Sequence, residues 1–428
     1  MFIIFFFFFG ILKQEIIFRF EITNTNSSEY ITNILNKNLT TYLKVGTPIQ
    51  NLKCSLQSEQ FLYYISDENE TRIYNSSQSS SYNDTNSSII TFMEGPIEKG
   101  LIANETFNFD FYNNNSNISV EHFNIILSKA HKFEKKTFPC SIGIGNRELL
   151  SSINQRNLIF NLYEKNIIEN ISYYFNFKED NKGELIIGGY PHIIEKEKYE
   201  KATFIKVKAK EQRDSHWNSE FIYFYGKDNI TSNEFTTSFN PNLNGIICPN
   251  NYLQKKINET LFQKYIEEKK CVNESYNYYI FYHCDKDTKL DYDSLKNIFL
   301  YNENLNYTFE IDHKKLFEEY NNRIYYLVIF GGKKLTEWTL GIPFLKTYTT
   351  VFTFDKNDST FNQTNIIGFE IFPKEEEEHK TWVIITLILI LIIIIIILLS
   401  IFISFWKKKK LKDNVEFDTE KDTTLLKN

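Results

Sequence analysis

The sequence predicts an all-β protein followed by one C-terminal transmembrane helix, and three observations predict it. Between about residues 40 and 373, short runs rich in Ile, Val, Thr, Tyr and Phe alternate with Asn, Asp, Ser and Gly clusters, the rhythm of strands and turns. Only Ile153–Glu164 and Leu253–Lys269 read as helices within that region. Beyond it, the 25 residues from Trp382 to Trp406 carry no charge. A chain of 428 residues, 42 % hydrophobic and 24 % charged, is long enough for two domains and is not disordered. Its net charge of −6 leaves no basic footprint for nucleic acid. Glycine is scarce, at 15 residues, against the ~7 % usual in proteins.

The elements follow in order. Phe2 to Leu12 is an apolar run too short to span a bilayer and suited to a signal-peptide core. The reading assigns 1–20 to a leader, cut loosely before residue 25, with a retained anchor as the alternative. The clearest strands are Thr41–Val45, Glu184–Ile187, Thr203–Val207, Glu220–Tyr225 and Thr349–Phe354. Asn/Ser-rich insertions at 75–88 and 112–119 read as surface loops, and no solenoid-type repeat is present. Residues 374–381, with Glu375 to Glu378, form an acidic stalk. At ~1.5 Å per residue, 382–406 makes about 37 Å of helix, enough for a ~30 Å hydrocarbon core. Lys407 to Lys410 open a 407–428 tail and make that side cytoplasmic. The expectation is a single-pass type I protein of the cell surface or endomembrane system, anchored in lipid through 382–406. In the tail, Asp422 to Leu426 has the form of an endosomal sorting signal or is simply solvated.

Sixteen Asn-x-Ser/Thr sequons all precede the span, which suits a lumenal ectodomain. Candidates include Asn75, Asn83, Asn104, Asn117, Asn170, Asn258, Asn273, Asn306 and Asn362. Of five cysteines, Cys284 follows Cys271 by thirteen positions, a spacing fit for a local disulfide in an oxidising compartment. Cys54, Cys140 and Cys248 are odd in number; the expectation is buried small hydrophobes, at least one of them free. Neither Cys nor His shows metal spacing, His216, His283 and His313 read as surface or strand residues, and no metal or cofactor is expected.

Four strings resemble the pepsin-like aspartic proteases. Gly46-Thr47-Pro48-Ile49-Gln50 resembles the turn that leads into the first catalytic strand. Ser141-Ile142-Gly143-Ile144-Gly145 is similar to the family's Ile-Leu-Gly-Leu segment. Gly183-Glu184-Leu185-Ile186-Ile187-Gly188-Gly189 matches the string that ends the first lobe. Trp338-Thr339-Leu340-Gly341-Ile342-Pro343-Phe344-Leu345, with Ile367-Gly368-Phe369, resembles the last strands. Order and spacing agree over roughly 330 residues. The resemblance implies a bilobal fold with a central cleft, an N-terminal lobe at 40–200, a C-terminal lobe at 201–373, and a peptide or protein ligand between them. It also places Cys271–Cys284 where the family carries a short disulfide loop.

The family's chemistry needs two aspartates sharing a proton, one activating water and one facing the scissile carbonyl. Here the equivalent positions are Gln57 (Leu56 if counted from the downstream side) and Asn240, and no Asp-Thr-Gly or Asp-Ser-Gly string occurs. Amides have no titratable proton near neutrality. The loop glycines are replaced by Glu59 and Asn242. Phe92 and Met93 stand where the flap tyrosine belongs, and Ile342 replaces the aspartate of the final Leu-Gly-Asp. Three readings follow: an inactive homologue that binds peptide or protein, an active endopeptidase with a substitute carboxylate such as Glu59, or a glycosylated β-rich surface protein unrelated to the family.

Overall fold

A computed structural model describes residues 14–25, 30–57, 64–66, 74–91, 98–112, 116–128, 140–145, 158–178, 181–210, 217–229, 234–249, 251–276, 279–331, 337–354, 365–373 and 388–407. The described residues divide into one unit ending at Ile371 and a second beginning at Phe372.

The first unit is built on two mixed sheets, of 13 strands and, with its side branches, 12. Along the 13-stranded sheet the sequence order is broken in an informative way. It begins at Thr203–Lys208, passes through Ile366–Ile371, Thr349–Thr353, Ser172–Phe177, Lys182–Ile187 and Ile16–Asn24, and continues into Lys37–Val45 and Gln50–Gln57. Strands from the beginning, middle and end of the chain therefore share one surface. Thr203–Lys208 and the last two strands, from beyond the expected lobe boundary at 200/201, extend this same sheet. The pairing of Thr203 with Ile371 and of Val351 with Tyr174 fixes that registry.

Another strand of this sheet lies ahead of the expected lobe start at 40 and reaches into the expected 1–20 segment. Ile16–Asn24 is a core strand between Lys182–Ile187 and Lys37–Val45, with Ile16 opposite Ile187 and Phe20 opposite Thr41. Ile16 and Ile17 are both buried, and from Phe18 on burial alternates, Phe18 and Phe20 buried and Arg19 and Glu21 exposed, as the pleat dictates. The second lobe holds the other sheet, whose centre runs Trp217–Tyr225, Phe235–Phe239, Trp338–Leu340, Ile246–Cys248. Its core is aromatic: Trp338 stacks on Tyr223 with centroids 3.7 Å apart, and both are fully buried.

All five sequence-predicted strands are present. The first helix is described from Leu158 to Glu164; the second runs Asn251–Glu267 with a π turn at Asn258–Phe262. Cys271 and Cys284 are bonded across a hairpin. Cys54 and Cys140, expected as buried thiols, instead form a second disulfide between neighbouring parallel strands, and Cys248 is the buried free cysteine. His283 is a buried strand residue, whereas His313 is buried in a 3-10 turn rather than on the surface or in a strand. His216 lies outside the described residues. The second unit contains the helix Ile388–Lys407, 20 residues long and apolar enough to cross a membrane; 382–387 and the stalk 374–381 lie outside the described residues.

Candidate functional site

The first loop position is set by the strand Gln50–Gln57. The turn before it requires Gly46, whose φ of +84° belongs to the left-handed region and whose added Cβ would sit 2.9 Å from Ser79 Oγ. Beneath this turn Glu105 is fully buried and accepts from Tyr74 OH, Ser81 Oγ and Thr106 N. Three donors satisfy a side chain that would otherwise be costly to bury. Burial, and then the bond to Glu105, pushes the Tyr74 phenol well above its ordinary value. Ser81 and Ser79 in turn hold Thr47. At the strand's end Gln57 lies opposite Gly143 in the parallel register, and its carbonyl accepts from Ile144 N at 3.0 Å. Its side-chain Nε2 donates back to Ser55 Oγ at 2.6 Å.

The second position follows the strand Phe235–Phe239. Asn240 N donates to Leu340 O at 2.9 Å, and its side-chain Oδ1 accepts from Asn242 N at 2.8 Å. This is an Asx turn, a conformation that Asn-Pro-Asn encodes locally. Behind it Gly341 packs so closely that an added Cβ would meet Leu243 O at 2.1 Å and Gly245 O at 2.6 Å. Ile342 is buried there and donates its N–H to Leu243 O at 2.7 Å.

The two loops meet. Asn242 Nδ2 donates to Leu56 O at 3.0 Å and Lys37 O at 3.3 Å, so its side chain spans the lobes immediately before Gln57. Lys37 N returns a bond to Asn242 O at 2.8 Å, and Asn36 forms a bridge with Leu243. The short helix Tyr30–Leu35 extends this junction. Asn244 N and Nδ2 donate to Leu35 O and Ile34 O, while Ile34 packs on Tyr325 and Leu327 of the second lobe. The buried Lys37 ammonium donates to Glu318 Oε1 and Asn24 Oδ1, each at 3.1 Å, and Glu318 Oε2 accepts from Asn244.

Gln57 ends its strand directly after Leu56, and Asn240 lies two residues before Asn242, so the Asn242–Leu56 bond joins the two segments that carry them. Lys37, Asn244 and Glu318, which hold the junction with Asn242, were not singled out; the Asn-Pro-Asn turn was the available signal. The flap residues Phe92 and Met93 and the substitute acid Glu59 lie outside the described residues. Amides at Gln57, Asn240 and Asn242 donate and accept hydrogen bonds but cannot shuttle a proton. Lys37 and Glu318 neutralise one another, and the described residues contain no cluster suited to a metal ion.

The family described as eukaryotic aspartyl protease matches residues 41–364. Among solved structures, basic 7S globulin from soybean superposes with a TM-score of 0.62 at 11 % identity, covering 83 % of this chain and 95 % of that one; at that identity the likeness establishes the fold. No curated protein matches in sequence. With strands, turns and paired loops in this order, and three quarters of its length matched, the chain belongs to the eukaryotic aspartyl protease family.

Proposed function

We propose that the chain is a membrane-anchored, catalytically inactive member of its family, whose interlobe cleft binds a peptide or protein without cleaving it. One observation carries the reading: both catalytic-loop positions hold amides already engaged in local hydrogen bonds, Gln57 to Ser55 and Asn240 to Asn242. Neither amide can act as the base that activates water. In this reading 382–406, which includes most of the helix Ile388–Lys407, spans the bilayer, the lobes are lumenal or extracellular, and Lys407 onward is cytoplasmic.

The purified chain is expected to leave peptides uncut at acidic pH and to ignore a hydroxyl-bearing transition-state mimic. Inhibitor-sensitive cleavage in acid overturns the proposal. The double change Gln57→Asp and Asn240→Asp is expected to restore no turnover, because the loop positions held by Glu59 and Asn242 lack glycine.

Lumenal exposure also predicts which sequons carry glycan. Asn83, Asn117 and Asn273 are exposed. Asn258 lies within a helix, its side-chain oxygen buried without a partner. Site mapping by mass spectrometry is expected to find glycan on the first three and none on Asn258; an occupied Asn258 contradicts the expectation.

A further inference from the structure

We propose that a cavity beside the interlobe junction is a binding site for an apolar carboxylate, meaning a carboxyl group borne on a branched or aromatic hydrophobic body. The cavity has a volume of about 520 Å³ and draws its walls from both lobes, a size within the ~300–1,000 Å³ of ordinary ligand sites. Neither Gln57 nor Asn240 lines it, so the site is separate from the catalytic-loop positions.

Besides the polar Asn181 and Thr347, its lining has three parts. Ile22 from the first strand, Phe317 and Leu327 from the second lobe, and Ile342 and Pro343 at the start of a short helix supply apolar surface. The Lys37–Glu318 pair and Asn244 also line it, their charges and donors spent on one another. Lys315 and Lys346 reach it from different elements; both are exposed, and neither forms an ion pair among the described residues. With the inner pair neutral, the surplus charge of the cavity is positive and sits beside apolar walls. A ligand complementary to both parts joins a hydrophobic body to an anion. A pair of lysines, compact point charges without the planar fork of arginine, attracts an anion without selecting its shape, and a carboxylate is the anion that organic acids and peptide ends carry on an apolar body.

Two sources share this chemistry, a small organic acid and the C-terminal residue of a peptide. The test uses the full-length chain in nanodiscs, with empty nanodiscs as the blank, and titrates 4-phenylbutyrate and a tetrapeptide ending in free Phe by calorimetry. At least one probe is expected to bind saturably, and its amide counterpart to bind about tenfold more weakly. The variant Lys315→Glu/Lys346→Glu, altered only at exposed positions, is expected to keep its thermal unfolding midpoint and lose about tenfold in affinity for the acid. Tighter binding of the peptide assigns the site to a peptide end; tighter binding of the small acid assigns it to a metabolite. The proposal is overturned if neither probe saturates, if acid and amide bind alike, or if charge reversal leaves the affinity unchanged. These readouts do not depend on whether the protein cleaves peptides.

Discussion

A chain beginning at residue 25 is expected not to fold. Such a chain lacks Ile16–Asn24, which lies inside the larger sheet and pairs on both sides. Ile16, Ile17, Phe18 and Phe20 are each 5 % exposed or less. At roughly 1.5–3 kcal/mol per buried side chain, their removal costs about 6–12 kcal/mol, comparable to the ~5–15 kcal/mol that holds a whole domain folded. It also leaves two neighbouring strands with unpaired backbone edges inside the sheet. The truncated chain should be recovered only as aggregate, without the cooperative unfolding transition of the longer form. The complementary measurement is the mature N-terminus, which is expected at or before Glu15. A processed protein starting beyond Phe20 that retains both disulfides and a cooperative melt would refute this account.

Replacing the Cys54–Cys140 bridge by alanines is expected to lower stability by about 4.5 kcal/mol. The bridge joins positions 86 residues apart, so its loss frees a long loop in the unfolded ensemble. Both cysteines are fully buried, three residues before Gln57 and directly before Ser141-Ile142-Gly143. The Cys271–Cys284 bridge spans only 13 positions, and its removal should cost about 3 kcal/mol. Urea unfolding of the two double-alanine variants measures the difference. An equal or reversed order of midpoints would show that native-state strain, rather than loop entropy, sets the contributions.

What the sequence discloses about this fold depends on how local each signal is. The Gly46 turn and the Gly341 contact are readable because backbone conformation and close approach admit almost no other residue. Cys271–Cys284 is readable because the two residues face one another across a single hairpin. Cys54–Cys140 is not, since its register depends on two parallel strands brought together by everything between them. The first strand was obscured by an ambiguity of composition. The leader core was read at Phe2–Leu12, and the loose 1–20 bound around it ran on into Ile16–Phe20, which lie in a buried strand. The alternation of Phe18 and Phe20 with Arg19 and Glu21 was the clue favouring the strand. At the site, the absence of any Asp-Thr-Gly or Asp-Ser-Gly string was visible directly, whereas the Asn242 bond to Leu56 joins segments 186 residues apart and leaves no local trace.

The shared sheet also has a consequence for biosynthesis. Its members include Ile16–Asn24, made before every other described strand of the sheet, and Ile366–Ile371, made after all of them. A ribosome adding ~5–20 residues per second releases the early strands many seconds before their last partners exist. Thr203–Lys208 must wait for the same closing strand. Until Ile371 clears the exit tunnel, nascent chains carry an incomplete platform with open backbone edges, and folding factors that shield such edges would meet this protein throughout its synthesis.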